Sequence, residues 1–326
     1  MSYSISTSLN QSLVADVQAG LSGRPKHLSS KYFYDDRGSE LFREIMRMDT
    51  YYPTDCEYEI FREQTQRIQR AFSPEGQPFQ LVEFGAGDGH KTKLLLDHFL
   101  GEGLPFTYMP IDISKGAIDQ LAGELNRQWP QLNFEPVVGD YFEALHRINQ
   151  QAGDQPKVIL FLGSNIGNFI EDQAVAFLKA LRREMNPGDR VLIGFDLKKD
   201  PKVILPAYSD PWGITRAFNL NLLTRLNREL GANFEVEKWD HYATYHPISG
   251  ETRSYLLSKK DQAVYVEKLD QSFHFDAWEP IWTELSQKYD LHMVNRLAQL
   301  SGFKVVDNLF DSHRYFLDSI WEYHEA

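Results

Sequence analysis

Cysteine is almost absent from this chain, which has a single one, Cys56, among 326 residues. One cysteine excludes an intrachain disulfide and any metal site built from a cysteine cluster. Such sparing use of cysteine fits a reducing compartment, so we expect a cytoplasmic protein. We interpret Cys56 as a packing residue, because a lone cysteine without an activating neighbour is an ordinary small apolar side chain.

Long hydrophobic runs are also missing. No apolar stretch approaches the roughly 18 residues that a transmembrane helix needs. The N-terminus, MSYSISTSLNQSLVADV, lacks the basic segment and apolar segment of an export signal. The sequence therefore predicts a protein that neither spans a membrane nor is exported.

Positive charge is in short supply, since 34 Lys and Arg residues face 46 Asp and Glu residues and the net charge is −12. No cluster of five or more basic residues occurs, which argues against binding to nucleic-acid phosphates. His90, His241 and His246 do not have the spacing of metal ligands, so we expect no metal. A small-molecule substrate fits this composition better.

What the chain does have is a glycine-rich corner. An apolar strand gives way to Gly85, Gly87 and Gly89, and a helical pattern over 91–100 follows at once. Missing side chains let a ligand approach the backbone, and a helix N-terminus offers free N–H groups. The spacing differs from the G-x-G-x-x-G of dinucleotide sites, and Glu83 suits a cationic ligand. The corner alone leaves three interpretations open: an S-adenosylmethionine site, a nucleotide site or a plain turn.

Three further strand ends carry polar residues. Asp112 ends the next strand, where a carboxylate in a doubly wound sheet can bind two ribose hydroxyls. Asp140 and Tyr141 end the third, suited to the amino group and the face of an adenine. A fourth apolar strand, 158–162, runs into the small and amide residues 163–168. Each acid alone would be interpreted as a helix cap, but four such ends in chain order favour a ligand that contains adenosine.

Strands and helices alternate through the middle of the chain. Predicted strands at 79–84, 106–111, 134–138, 157–162 and 190–195 are separated by predicted helices at 90–100, 114–128, 140–150 and 170–185. Helices are also predicted at 8–22, 39–48, 54–72, 213–230 and 279–300, and strands at 232–246, 252–260, 262–275, 303–310 and 314–321. The alternation predicts an α/β fold: a parallel Rossmann-like sheet with helices on both faces, completed by an antiparallel pair.

The rhythm changes after residue 196, where helix-rich and hairpin-rich segments replace the alternation. We therefore expect a Rossmann-like core of 60–196 plus 287–326. An inserted α+β domain of 1–59 plus 197–286 would bind the substrate.

Several longer motifs now add to the glycine corner. They are Lys31–Ser39, Tyr51–Thr54, Gly85–Lys91, Phe161–Asn168, Gly194–Asp200, Ala207–Asp210, Phe218–Asn221, Leu226–Leu230 and Thr283–Lys288. With these motifs, in this order over almost the whole chain, the protein resembles the S-adenosylmethionine-dependent histidine Nα-methyltransferases of ergothioneine biosynthesis. Members of that family trimethylate histidine to its betaine, hercynine.

The resemblance implies a class I methyltransferase sheet and S-adenosylmethionine as methyl donor. Carried over by position, the cofactor contacts fall on Gly85, Gly87, Lys91, Asp112, Asp140 and Tyr141.

The resemblance also implies a set of substrate contacts. These fall on Tyr34, Tyr51, Asn168, Tyr208, Ser254, Glu284 and Ser286. Asn168 and Tyr208 would bind the carboxylate of the amino acid. Glu284 and Ser286 would hold the imidazole nitrogens, with Tyr51 closing that side. Tyr34 would lie beside the α-amine as the catalytic residue.

One position departs from the family pattern. Where the family often has an acid followed by methionine, this chain has Arg253 and Ser254. A serine makes the ring pocket roomier or more polar, which leaves open another amino acid, such as tryptophan or a derivative. Glu284 and Ser286 favour imidazole, because a buried carboxylate needs ring N–H groups as partners. A monomeric enzyme is expected, and a non-catalytic, cofactor-binding regulator is the remote alternative.

Overall fold

The computed structural model describes residues 2–151 and 155–323. The chain divides into two compact units. Pro53–Lys198 and Gln287–Ala326 form one, here named the core unit; Met1–Tyr52 and Lys199–Ser286 form the other, here named the second unit. Within the described residues, no helix combines the length and the apolar character needed to cross a membrane.

The elements are numbered in chain order. The helices are α1 (Ser2–Ser22), α2 (Asp36–Ile45), α3 (Tyr52–Glu63), α4 (Thr65–Phe72), α5 (Thr92–Gly101), α6 (Lys115–Gln128), α7 (Tyr141–Gln151), α8 (Glu171–Arg183), α9 (Pro201–Tyr208), α10 (Ile214–Leu230) and α11 (Leu291–Ser301). The strands are β1 (Lys26–His27), β2 (Phe79–Phe84), β3 (Phe106–Asp112), β4 (Val137–Val138), β5 (Lys157–Phe161), β6 (Arg190–Asp196), β7 (Trp239–His246), β8 (Glu251–Ser258), β9 (Gln262–Val266), β10 (Gln271–Phe275), β11 (Pro280–Gln287), β12 (Phe303–Phe310) and β13 (Phe316–Tyr323).

The core unit is built on a seven-stranded sheet in the order β12-β13-β6-β5-β2-β3-β4. The strands from β2 to β6 run parallel, while β13 is antiparallel to both β6 and β12. All residues of β2 and β5 are buried. Continuous burial requires both faces of the sheet to be covered, as in doubly wound folds. The predicted α/β fold with its final antiparallel pair is confirmed.

The order of the strands locates a crevice in this sheet. From β2 the chain moves outward on one side to β3 and β4, then returns to the other side of β2 to form β5 and β6. The direction of winding therefore reverses at β2. In open α/β sheets, ligands bind outside the carboxyl ends of the strands at such a switch point. The glycine corner follows the carboxyl end of β2.

The second unit has a four-stranded sheet in the order β1-β11-β8-β7 and a separate β9–β10 hairpin. Burial alternates strictly along β8, where Thr252, Ser254, Leu256 and Ser258 lie inside. Alternation means that one face of this strand is packed and the other is open. Aromatic packing joins α10 to α2 and to the 3₁₀ turn before it, with Phe33 4.8 Å and Phe42 5.9 Å from Phe218 between ring centroids.

Several predicted elements were wrong in type or extent. The helix predicted over 279–300 is strand β11 followed by the shorter helix α11. Burial alternates over 280–285, which is a strand pattern, and Asp290 caps α11 by accepting the N–H of Met293. The strand predicted over 262–275 is the β9–β10 hairpin, and the helix predicted over 54–72 is two helices, α3 and α4.

Candidate active site

The glycine corner of the core unit has the backbone that only glycine adopts easily. Gly85, Gly87 and Gly89 have φ of 67°, 56° and 64°, in the left-handed region that side chains disfavour. A Cβ on Gly85 would also lie 2.8 Å from the Tyr141 hydroxyl oxygen. The turn is therefore specified both by its backbone conformation and by close approach of a neighbouring side chain.

Asp112 ties the end of β3 to this turn. Its Oδ2 accepts the N–H of Gly87 at 3.2 Å, and its Oδ1 accepts the N–H of Ser114 at 2.8 Å. Asp112 is only half-buried, and each carboxylate oxygen can accept a second hydrogen bond. The geometry leaves this carboxylate able to bind hydroxyl groups while it holds the loop.

Asp140 and Tyr141 follow β4. Asp140 Oδ1 accepts the N–H of Phe142 at 2.9 Å, so this acid caps α7. The Tyr141 ring stacks on Phe84 at 4.7 Å with an interplanar angle of 3° and meets Phe161 edge-on at 6.5 Å. Burial, with Asp112 and Asp140 nearby, raises the pKa of Tyr141 to about 12. The phenol therefore stays neutral and can donate a hydrogen bond.

Lys91 stands at the N-cap of α5, where a cation opposes the helix dipole. Its ammonium bonds to the fully buried carboxylate of Glu57 from α3. The two Glu57 oxygens also accept the N–H of Gly163, at 2.9 and 3.1 Å. Sequence reasoning missed Glu57. The signal was present, because Glu57 precedes the buried Ile60 and Phe61 by one helical turn and so faces inward.

Glu83 does not have the role expected from the sequence. Its side chain is buried and accepts hydrogen bonds from Thr92 Oγ1, at 2.7 Å, and from the Tyr108 hydroxyl. Burial raises the pKa of Glu83 to about 7, although both hydroxyls and the charge of Lys91 act in the opposite sense. This carboxyl fastens β2, β3 and α5 together instead of facing a cationic ligand.

The segment after β5 forms a tight turn of 3₁₀ helix, Asn165–Asn168. It begins at Ser164, whose φ of 58° is left-handed and whose Oγ accepts the N–H of Asp196 at 2.9 Å. A Cβ on Gly167 would lie 2.9 Å from the Gln287 carbonyl oxygen. Asn168, at the end of the turn, is exposed on the core unit.

Four predicted substrate residues come together in the second unit. Ser254 Oγ on β8 donates to Glu284 Oε2 on β11 at 3.2 Å. The Tyr208 hydroxyl at the end of α9 and Ser286 Oγ on β11 are 2.8 Å apart. Glu284 and Ser286 are two residues apart on one strand, so their side chains point to the same face. Ser254, Tyr208 and Ser286 are nearly fully buried, and Glu284 is half-buried.

The two remaining tyrosines belong to the same unit. Tyr34 is 47% exposed, with its ring 5.4 Å from that of Phe42 and 5.8 Å from that of Phe218. Tyr51 meets Phe42 edge-on at 6.3 Å and packs against the apolar cluster that contains Tyr208. The second unit therefore contains six of the seven predicted substrate contacts, and Asn168 belongs to the core unit.

Known proteins resemble this chain over most of its length. A family model described as a histidine-specific, S-adenosylmethionine-dependent methyltransferase matches residues 13–323. The chain is 37% identical over 274 residues to a histidine N-alpha-methyltransferase of Mycobacterium tuberculosis (strain CDC 1551 / Oshkosh), covering 84% of this chain and 83% of that one. Identity to the Mycolicibacterium smegmatis protein of the same name is 35% over 287 residues, covering 88% and 87%. Ergothioneine biosynthesis protein 1 of Schizosaccharomyces pombe is 30% identical over 285 residues, or 86% of this chain and 36% of that protein.

Proposed function

We propose that this chain, which belongs to the family of histidine-specific, S-adenosylmethionine-dependent methyltransferases, methylates the α-amino nitrogen of free L-histidine. The observation that carries the proposal is the pair of polar contacts, Ser254 with Glu284 and Tyr208 with Ser286, on buried elements of the second unit. Buried polar groups persist where they are paired or where a ligand completes them. Successive transfers would give the trimethylated betaine, hercynine.

The core unit would bind the cofactor. The left-handed glycines, the close approach of Tyr141 to Gly85 and the half-buried Asp112 together support a cradle for an adenosine. Asp112 would accept the ribose hydroxyls, and Tyr141 and Asp140 would contact the adenine. A neutral Tyr141 suits this role, since its pKa of about 12 keeps the phenol protonated. We propose that Lys91 completes the cofactor contacts at the start of α5.

The ring of histidine needs an acceptor for an N–H group. Glu284 is the charged acceptor of the group in the second unit, and Ser254 already donates to one of its oxygens. A charge-assisted hydrogen bond from imidazole to this carboxylate would hold the ring. Ser286, with the Tyr208 hydroxyl beside it, would serve the second ring nitrogen. Tyr51 would close this side, as its packing against the Tyr208 cluster supports.

The position that departs from the family pattern takes part in this recognition. Ser254 is almost fully buried and points its hydroxyl at Glu284. An apolar side chain there would supply no donor. The serine therefore makes the ring site more polar, which favours imidazole over the larger and less polar indole of tryptophan.

The reaction needs little acid–base catalysis by the protein. When bound, S-adenosylmethionine supplies an activated methyl group on a cationic sulfonium. The second unit would orient the unprotonated amine, with the exposed Tyr34 beside it to relay the released proton to solvent. Anchoring the ring at Glu284 keeps the nitrogen in line while it turns between transfers. A trimethylated nitrogen has no lone pair, so the sequence of transfers ends by itself.

The proposal is tested by product analysis. Purified protein is incubated with methyl-labelled S-adenosylmethionine and a panel of free amino acids, and the products are identified by mass. We expect mono-, di- and trimethylated histidine and no product from tryptophan. A preference for any other amino acid would overturn the substrate assignment. The same preparation, run on a sizing column, tests the further proposal that the enzyme is a monomer.

Glu284 variants test the ring contact directly. Glu284→Ala removes the acceptor of a charge-assisted bond, which is worth about 1.5–3 kcal/mol, so the Kd for histidine should rise about 10- to 100-fold. Glu284→Gln keeps an acceptor oxygen and should lose less. Calorimetry should find binding of S-adenosylhomocysteine unchanged in both. The exposed Glu237 of the same unit gives the control variant Glu237→Gln. Unchanged histidine affinity in Glu284→Ala would remove this residue from the site.

A further inference from the structure

A buried group of three ionisable side chains lies in the core unit beside the glycine corner. Glu57 and Asp318 are fully buried, and Lys91, which bonds to Glu57, has 19% of its side chain exposed. Glu57 belongs to α3, Lys91 opens α5 and Asp318 lies on β13. The three residues are far apart in the sequence, and the fold brings them together.

Two glycines lie against Glu57. Gly163, with φ of 70°, donates its N–H to both Glu57 oxygens. A Cβ on Gly194 would lie 2.5 Å from Glu57 Oε1. Gly194 is also the partner of Asp318 in the β13–β6 register. The Glu57 carboxylate therefore lies over the backbone of β6, next to Asp318.

Asp318 is the unusual member. Within residues 2–151 and 155–323, neither of its oxygens accepts a hydrogen bond from a donor group, and the group it can bond to is the Glu57 carboxylate. The charged groups that act on it are Glu57 and Lys91, and its register partners, Gly194 and Leu309, carry no charge. Burial, and then the Glu57 carboxylate, raise the pKa of Asp318 well above its usual range. One lysine therefore serves two carboxyl groups. Two carboxyl groups so close to each other do not both ionise.

We propose that Glu57 and a protonated Asp318 are positioning residues that hold Lys91 at the glycine corner with its charge cancelled. The inference rests on the proposed function, in which Lys91 contacts the cofactor. Because the Glu57 carboxylate cancels its charge, Lys91 can donate its remaining N–H groups to the cofactor without adding net positive charge near a cationic sulfonium. The proton on Asp318 is required, because a second carboxylate beside Glu57 would leave the group with a net negative charge in a dry interior.

The experiment measures S-adenosylhomocysteine binding by calorimetry. Glu57→Gln removes the carboxylate that holds Lys91 in place, and we expect its Kd for S-adenosylhomocysteine to rise about tenfold, because Lys91 then loses the fixed position from which it bonds to the cofactor. The KM for S-adenosylmethionine should rise while the KM for histidine stays constant. Glu63→Gln, on the exposed face of α3, is the matched control. A normal cofactor affinity in Glu57→Gln, or an equal rise in both KM values, would overturn the proposal.

Asp318 gives a second test that does not depend on Glu57→Gln folding. Asp318→Asn keeps a neutral group of the same size and should bind S-adenosylhomocysteine as the wild type does, whereas Asp318→Leu should bind it more weakly. Infrared spectra at pH 8 should contain the carbonyl band of a protonated carboxylic acid in the wild type, and Asp318→Asn should lack it. Absence of that band from the wild type would refute the protonated state. If the wild type bound no S-adenosylhomocysteine, the proposed cofactor site, on which this inference rests, would be overturned instead.

Discussion

Replacing Glu83 with glutamine should make the protein more stable at alkaline pH. Glu83 is buried, and its pKa rises from 4.5 to about 7 because burial disfavours the charged form. The folded state therefore binds the Glu83 proton more tightly than the unfolded state, and stability falls as pH rises between these two values. At about 1.4 kcal/mol per pKa unit, the loss amounts to about 3 kcal/mol above pH 7. Glutamine has no proton to lose, and its amide oxygen can accept from one of the two hydroxyls while its NH2 donates to the other.

The assay is urea unfolding followed by tryptophan fluorescence at several pH values. Most of the difference between Glu83→Gln and the wild type should develop between pH 5 and pH 8, with the variant the more stable at pH 8. Glu102→Gln, at the exposed end of α5, controls for the loss of one negative charge. Binding of S-adenosylhomocysteine should not change, since Glu83 is covered by its own partners. Parallel pH profiles for Glu83→Gln and the wild type would refute the reasoning.

Two substitutions, one in the glycine corner and one at Asp112, should separate the role of the backbone from that of the carboxylate. Gly85→Ala forces a side chain into a left-handed residue with the Tyr141 hydroxyl oxygen 2.8 Å away, so we expect a loss of about 1–3 kcal/mol in unfolding free energy and weaker S-adenosylhomocysteine binding. Gly101→Ala, in the open at the end of α5, is its control and should be harmless by thermal melting. Asp112→Ala should weaken S-adenosylhomocysteine binding in calorimetry more than Asp112→Asn, which keeps an oxygen for the Gly87 N–H; equal and normal affinities would contradict the ribose assignment.

The parts of the fold that could be predicted are those in which one local signal dominates. The strand 79–84 was predicted with its observed bounds because a strand buried on both faces must be apolar throughout. The glycine corner was equally predictable, because a left-handed backbone conformation favours glycine and each such position of the turn is a glycine in the sequence. Asp112 could be located because it ends the largely buried strand β3, whereas Asp140 follows the short, partly exposed β4 and caps α7.

The errors have a common physical cause, which is that the deciding partner lies far away in the chain. Strand β11 was mistaken for helix because an alternating run passes straight into the apolar stripe of α11, with only Asp290 to mark the boundary. Its neighbours in the sheet, β1 and β8, supply the hydrogen bonds that make it a strand. Glu284, expected near the start of a helix, is therefore presented from a strand.

Buried ion pairs alone would not have identified the site in the core unit. Lys157 pairs with Asp189 at 2.9 Å, and Lys288 with Asp196 at 2.7 Å, each pair almost wholly buried. Asp189 also accepts backbone N–H groups at the amino end of β5, so this pair holds a loop on the edge of the sheet opposite the glycine corner. Such pairs add little net stability, since desolvation offsets attraction.

The Glu57 group differs from these ion pairs in the number of acids around its lysine. One lysine faces two buried carboxyls, and Asp318 has no other donor among the described residues. A purely structural ion pair would need no second acid. Asp318 lies at the carboxyl edge of the sheet, beside the lysine that opens α5, where its proton can bond to the Glu57 carboxylate. This place beside the glycine corner argues for a role in positioning Lys91.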